Sequence, residues 1–459
     1  MSAVALPRNL VAPPVVQGDD RVKSSSVKIL PANANSTYSP TSGNRIVFNI
    51  PAYAKAFINP QRTYLSYTVK KTGTEADSRL VDGVPWIDRM TLKAGTVMVE
   101  DIQNYALLER LDSLYETEDH NLSRAWIEGD YSSVTRKYTG GSGALGETIL
   151  NRVIAEQTSG RQYQKPLLSG VIGKDQDFYL PVGMLNASGS QALQMELFLA
   201  PNDQVVTRNT GVTASPGYEL SEVCLHLSVC ELPERALKIF QSAILSGGTV
   251  SLPYKTTRCF QQHIPSGQTH IDFNIVENSK DAEKVMVAMR DQTLASGYCT
   301  ADVNGTTNDC FALRGGEESG SVISKYQFRY GTEQFPPAPV EVRDNAGTTP
   351  AILHGLASCD MLHRSPRLCA IDPIGVDGAT SSPGKPLFET TGFHILQGFK
   401  TSSDPLENGL NTAVGGSPIE LKLDFSAQNT NLSMFAFVVS NYHLNIGSNG
   451  AVRMTEGSQ

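Results

Sequence analysis

The sequence predicts an all-β chain in which one β-sandwich is used twice. Three observations predict it. Short apolar segments alternate with polar residues and end in Gly or Pro, a helical segment divides the chain near its middle, and the second half repeats strands of the first in order. A chain of 459 residues also exceeds one ordinary hydrophobic core.

Residues 1–42 are rich in Pro, Ser, Ala and Asn and lack periodicity, so they read as an extended N-terminal arm that orders when a partner holds it. A first sandwich is expected over 43–232. Its strands are Arg45–Ile50, closed by Pro51; Thr63–Lys70, bounded by Pro60 and Gly73; Trp86–Leu92, ending in a Lys93-Ala94-Gly95 turn; and Thr96–Glu100. Each is short, β-branched or aromatic, and punctuated. A helical stretch is expected at 101–116, where Ile102, Tyr105, Ala106, Leu108 and Leu111 share a face. Residues 117–175 form a long polar, Gly-rich excursion. Strand signals return at Phe178–Pro181, Leu193–Ala200 and Glu219–Val229. Residues 233–248 read as a linker helix, with Pro233 at its start and Gly247-Gly248 at its stop.

A second sandwich is expected over 249–459. Ile46–Ile50 recurs as Ile271–Ile275, and Leu193–Ala200 as Ile419–Ser426 with Leu197 set on Leu423. Phe178-Tyr179-Leu180 is matched to Phe393-His394-Ile395. Matches in the same order point to duplication of one unit. Met434–Val439 and Tyr442–Ile446 read as the two closing strands.

Composition excludes several function classes. Net charge is −8, and the first 40 residues carry only Arg8, Arg21, Lys23 and Lys28 against Asp19 and Asp20, so direct sequence-specific nucleic-acid binding is not expected. No run approaches the ~20 apolar residues of a membrane span. Pro7, Pro13 and Pro14 interrupt the stretch where a signal peptide needs an unbroken apolar helix, so the chain is expected to stay in the cytosol or nucleus. The seven cysteines are odd in number and irregular in spacing, which predicts buried free thiols. Charged residues make up 18%, below the ~25% of a typical soluble domain, as suits a surface largely covered by neighbours.

No catalytic, cofactor-binding or metal-binding residue is assigned. Gly141-Ser142-Gly143-Ala144-Leu145-Gly146 matches a phosphate-loop pattern, yet it lies in a polar loop without the strand-to-helix turn that a dinucleotide site needs. His354, Cys359 and His363 fall in one helical stretch with Cys369 nearby, and Cys259 and His263 share a strand face; neither group has the four ligands of a closed zinc site. Ser358, His354 and Asp360 lack a nucleophile elbow and the geometry of a triad. The carboxylate pairs Glu100-Asp101, Glu317-Glu318 and Asp19-Asp20 read as solvated surface or helix-start charges. Five Asn-x-Ser/Thr sequences, at Asn35, Asn121, Asn186, Asn304 and Asn431, are expected from composition alone.

Several segments resemble the double jelly-roll major capsid proteins, the lineage of adenovirus hexons and nucleocytoplasmic large DNA viruses. Polinton-like virus and virophage members are the nearest in character. GNRIVFNIP (43–51) with FINPQRTYLSYTVK (57–70) resembles the opening strands, and WIDRMTLKAGTVMVEDIQNYALLERL (86–111) the next strand pair and helix. DFYLPVG (177–183), LQMELFLAP (193–201) and YELSEVCLHLSVCEL (218–232) resemble the close of the first barrel. FHILQGF, ELKLDFS and FVVSNYHLNIG resemble the close of the second. The resemblance implies two tandem eight-stranded jelly-roll β-barrels with long loops and short helices. It implies a capsid function without enzymatic activity or cofactor. Pseudo-hexagonal homotrimers would tile an icosahedral shell of a double-stranded DNA virus, in contact with neighbouring capsomers, penton and minor or cement proteins, after assembly in host cytoplasm or nucleus. An internal membrane is compatible with it. Residues 117–175 and 296–350 lie outside the resemblance and are expected to form outward loops and subunit contacts, with residues 1–40 running along the inner shell. The competing expectation is a β-sandwich carbohydrate- or receptor-binding spike, or a minor (penton) capsid protein. A sugar platform would draw on Trp86 and Trp126, the two tryptophans.

Overall fold

A computed structural model describes residues 23–115, 159–238, 249–301, 313–359 and 393–456, with short breaks inside these spans. The first unit contains β1 (Lys23–Ile29), β2 (Thr37–Tyr38), β3 (Arg45–Pro51), β4 (Ala56–Thr72), β5 (Ile87–Ala94), β6 (Val97–Gln103), helix α1 (Tyr105–Leu114), β7 (Arg161–Pro166), β8 (Gln191–Leu199), β9 (Arg208–Asn209) and β10 (Gly217–Glu231). The second contains β11 (Val250–Ile264), β12 (His270–Ile275), β13 (Ala282–Asp291), β14 (Thr300–Ala301), β15 (Ser321–Tyr330), β16 (Glu333–Glu341), helix α2 (Pro350–Ser358), β17 (His394–Gly398), β18 (Ile419–Gln428), β19 (Leu432–Ile446) and β20 (Val452–Glu456).

The two units are built alike. In the first, one sheet has the order β1-β10-β4-β7 and the other β3-β8-β5-β6. In the second, the orders are β11-β19-β13-β17 and β12-β18-β15-β16. The strands correspond one to one, and α1 and α2 both follow the outermost strand of the second-named sheet. The equivalence extends to register: Ile46 stands opposite Leu197 in the first unit, and Ile271 opposite Leu423 in the second. Alternation explains the placement, because Ile46, Phe48 and Ile50 on β3, like Ile271, Phe273 and Ile275 on β12, all turn inward and are buried.

Each unit is thus a pair of four-stranded antiparallel sheets, to which the short β2 and β20 add at the edges. The expected eight strands of each jelly roll are present as two facing four-stranded sheets. Among the described residues no strand pairing joins the two sheets of a unit, so the inward side chains hold them together. Trp86 lies in the first core, 1% exposed, with its ring edge-on to Tyr67 at 4.9 Å. The four described cysteines, Cys224, Cys230, Cys259 and Cys359, are free thiols.

Several expectations shift. Lys23–Ile29 is not a free arm: it pairs with β10 from Lys23↔Glu231 to Ile29↔Leu225 as the edge strand of the first unit. It escapes sequence detection because only Ile29 is buried. Phe178–Leu180 is no strand, and its match to Phe393–Ile395 is corrected. The counterpart of β17 is β7, a polar segment with only Tyr163 and Lys165 buried. Leu180 instead makes an isolated two-bond bridge to Ile58 and leads into a single 3-10 turn, Val182–Met184. The helix begins at Tyr105, since Ile102 still belongs to β6 and Asn104 turns the chain with a left-handed φ of 52°. Strand β4 passes through Pro60, where its ladder with β10 is irregular and needs no N–H. The two closing strands are one, β19. The linker segment 233–248, the Gly141–Gly146 motif, Trp126, Asp360, His363 and Cys369 fall wholly or largely outside the described residues.

Candidate assembly site: the seam between the two units

The surface with the most built chemistry lies where the first unit docks on the outer face of the β11-β19-β13-β17 sheet. Cross-strand partners share a face. One row on this sheet is Cys259, Phe437, Met286 and Leu396, and the next includes Phe435, Ala288 and His394. Apart from the half-buried Cys259 these are buried, so β19 is covered on both sides from Leu432 to Ser440 and β17 along its whole length.

The first unit covers most of this face with α1, β6 and the segment 167–176, while α2 of the second unit packs against β17 at Leu396 and Gly398. Asn104 Nδ2 donates to Cys259 Sγ at 3.4 Å, and burial pushes that thiol up to about 12. At the far end of α1, Tyr115 hydrogen-bonds His394, their rings edge-on at 5.3 Å. Tyr254 on β11 donates its hydroxyl proton to the Val99 carbonyl on β6 at 3.1 Å. Gln176 Nε2 donates to the Pro253 carbonyl at 3.1 Å and to Gly170 O at 2.7 Å. Gly170 lies so close to β11 that a Cβ there would sit 1.7 Å from Lys255 O. A parallel pairing of β9 with β14 adds a second tie between the units.

The segment 167–176 is itself held to the first unit. Leu168 N donates to Tyr105 Oη at 2.7 Å, Lys174 pairs with Asp112 at 2.6 Å, and Lys165 at the end of β7 pairs with Glu109. Glu100, 1% exposed, accepts from Gly170 N at 2.7 Å and from the Ser169 hydroxyl. Burial lifts its carboxyl to about 7, against the opposing pull of these donors. The sequence reading of Glu100 as a solvated charge is corrected: the segment 167–176 folds over it and buries it.

The equivalent face of the first unit, on β1-β10-β4-β7, is different. His226 stacks on Tyr64 with centroids 4.5 Å apart and shares a 2.8 Å hydrogen bond with Ser66. Thr68 donates to Glu222 at 3.1 Å. Lys28, Gln162, Gln164 and Glu222 are exposed. Burial, then Lys28, lowers the His226 pKa. No part of the chain among the described residues packs there as α1 packs on the second unit.

The sequence candidates for chemistry stay apart. His354 bonds Gln397 at 3.0 Å, while Ser358 Oγ donates to Gly355 O and accepts from Gly398 N, both at 2.9 Å, so Ser358 serves the helix end. His263 is exposed and Cys259 faces the seam. Among the described residues no group of three or more His, Cys, Asp or Glu side chains could hold a metal ion, and no helix is long and apolar enough to cross a membrane. The seam residues Glu100, Ser169, Gly170 and Tyr254 carry no motif. No period-two signal marks Glu100, because Val99 and Glu100 are buried side by side on β6 while Met98 is exposed.

No protein-family model matches the chain, and no curated protein is similar to it in sequence. Solved structures do match over nearly full lengths. The PBCV-1 virus capsid structure is 10% identical, covers 97% of this chain and 99% of its own, and superposes with a TM-score of 0.59. The Faustovirus major capsid protein is 8% identical over 95% of this chain and 92% of its own, with a TM-score of 0.57. The cryo-EM structure of the Sputnik virophage is 13% identical over 100% and 94%, with a TM-score of 0.53. Paired sandwiches in the same order, matched end to end, give this chain the double jelly-roll-like fold of viral major capsid proteins.

Proposed function

We propose that the chain is the major capsid protein of an icosahedral double-stranded DNA virus. It assembles as a pseudo-hexagonal homotrimer and resides in the virion. It has no enzymatic role and needs no cofactor. Its partners are neighbouring capsomers and penton and minor capsid proteins. The fold likeness supports this reading, and one observation carries it: the contact between the units is head-to-tail. The helix side of the first unit covers the outer sheet face of the second. Among the described residues this leaves α2, which packs on β17 but exposes Leu353, at one end of the chain and the equivalent face, with Tyr64, His226 and Thr68, at the other. Repeating such a contact between copies produces a ring, because heterologous contacts close when the rotation per unit divides a full turn. Three copies of two units close at six.

The domain division belongs to the same proposal: two sandwiches joined through 233–248. The outward-loop role of 117–175 and 296–350, and an inner-shell course for the residues before β1, belong to it too.

Analytical ultracentrifugation and negative-stain microscopy of the purified full chain test it. Trimers with a six-lobed outline are expected, and larger shells at high concentration. A monodisperse monomer, or a small oligomer that binds immobilised glycans, would overturn it in favour of a spike-type binding protein. A five-lobed particle would assign the chain to the vertices.

A further inference from the structure

We propose that Glu100 is a proton-operated latch on the seam: with its carboxyl protonated the segment 167–176 stays clamped between the two units, and on ionisation the clamp loosens. The inference goes beyond shell formation and does not depend on it.

The geometry points there. Glu100 is a buried carboxyl whose partners are all neutral, the Ser169 hydroxyl and the backbone N–H groups of Gly170 and Val171. Among the described residues it forms no ion pair with Lys, Arg or His. A buried carboxylate without a counter-charge costs far more than a buried carboxylic acid. The same short segment that Glu100 holds is the one pressed onto β11, where Gly170 meets Lys255 O and Gln176 reaches Pro253 O. One proton therefore acts on both sides of the joint.

Ser169 relays it, since its Oγ accepts from the backbone N–H groups of Val171 and Ile172 at 3.2 and 3.1 Å while donating to Glu100. A charged Glu100 draws water, and lifting 167–172, the segment that covers it, admits that water.

The charged and titratable groups around the latch offer no substitute counter-ion. From α1 come Tyr105 and Glu109, the latter already paired with Lys165 of β7. Lys174 is paired with Asp112, and Asp175, raised by its own burial, follows on the same segment. From the second unit come Tyr254 and, behind it, Tyr442 and Arg258, with Arg258 on Glu277 and Lys255 on Glu283.

The sign follows from linkage. The folded carboxyl titrates near 7 and the unfolded one near 4.5, so the folded chain holds a proton the unfolded chain has lost between those values. Stability contributed at this site therefore falls as pH rises through that window and levels off above it.

Hydrogen–deuterium exchange on the full chain, at about pH 5.5 and about pH 8.5 and corrected for intrinsic exchange, reads the latch directly. In the unaltered protein, amides of 167–176 and of the facing part of β11 are expected to open at least about tenfold more at the higher pH. Glu100→Gln, which keeps shape and loses the charge, is expected to be flat across the same range. Ser169→Ala removes a donor that favours the ionised form, so it is expected to move the opening midpoint to higher pH. Opening in Glu100→Gln that rises with pH as in the unaltered chain would overturn the proposal. So would protection of 167–176 that is independent of pH in the unaltered chain, an outcome that needs no variant to fold.

Discussion

The outer faces of the two equivalent sheets have been put to opposite uses. On β11-β19-β13-β17 the face is apolar and covered: Phe435, Phe437, Met286 and Leu396 are each at most 5% exposed. On β1-β10-β4-β7 the corresponding positions hold Tyr64, Ser66, Thr68 and His226, joined by polar contacts. The strand order is the same in both, so topology does not set the difference. What sets it is permanence. The face buried by the chain itself never meets water after folding and can be as apolar as a core. A face that stays open to water must remain soluble and so carries polar groups.

The largest test of this comparison pits the cores against each other. Leu197 and Leu423 occupy equivalent places in β8 and β18, and both are fully buried. Alanine at either should cost about 2–5 kcal/mol, read by urea denaturation. If the units fold independently, each substitution will broaden or split the transition; if the seam makes them one body, both will shift a single transition alike.

A smaller effect is expected from Gly170→Ala. The added methyl meets backbone of β11, which cannot yield as a side chain could, and overpacking of this kind costs about 1–3 kcal/mol. The strain falls on the seam and not within a unit. Dye binding to newly exposed apolar surface should therefore rise while both sandwiches keep their circular dichroism. Unchanged dye binding would break the claim that this segment seals the apolar face.

The smallest effect concerns the other sheet of the second unit. His270 on β12 bonds Asp424 at 2.6 Å and lies 3.4 Å from Asp272, all about half exposed. The Asp424 hydrogen bond leads the causes that raise its pKa. The stability it adds is fully present below the unfolded value of 6.5 and is lost as pH rises through the higher folded one. Solvent screening keeps it below about 1 kcal/mol. Comparing His270→Asn with the unaltered chain in pH-resolved urea melts should show a slight loss near neutrality or below and none in alkali. A loss that persists in alkali would mean the side chain acts through packing.

Much of the fold was legible because the most buried strands obey alternation. β3 and β12 were visible as a repeat, and the match of Leu197 to Leu423 is borne out by register, since they stand opposite Ile46 and Ile271. What failed to show did so for three reasons, the first being that burial by a neighbour leaves no period-two trace. β17 is buried on both sides, so Phe393-His394-Ile395 looked like any apolar run and was matched to the wrong partner. β1 and β7 have the opposite problem, being edge strands with little to bury, held by ladders that composition does not record. The seam was illegible for a third reason: Gly170 meets Lys255, and Val99 receives the Tyr254 hydroxyl, at backbone carbonyls that every residue possesses.

Strand β16 closes the order β12-β18-β15-β16 and is mostly exposed, with Pro336, Pro337 and Pro339 along it. Prolines deprive that border of amide donors. At high concentration the chain can therefore crowd against its own kind along that border without seeding fibrils.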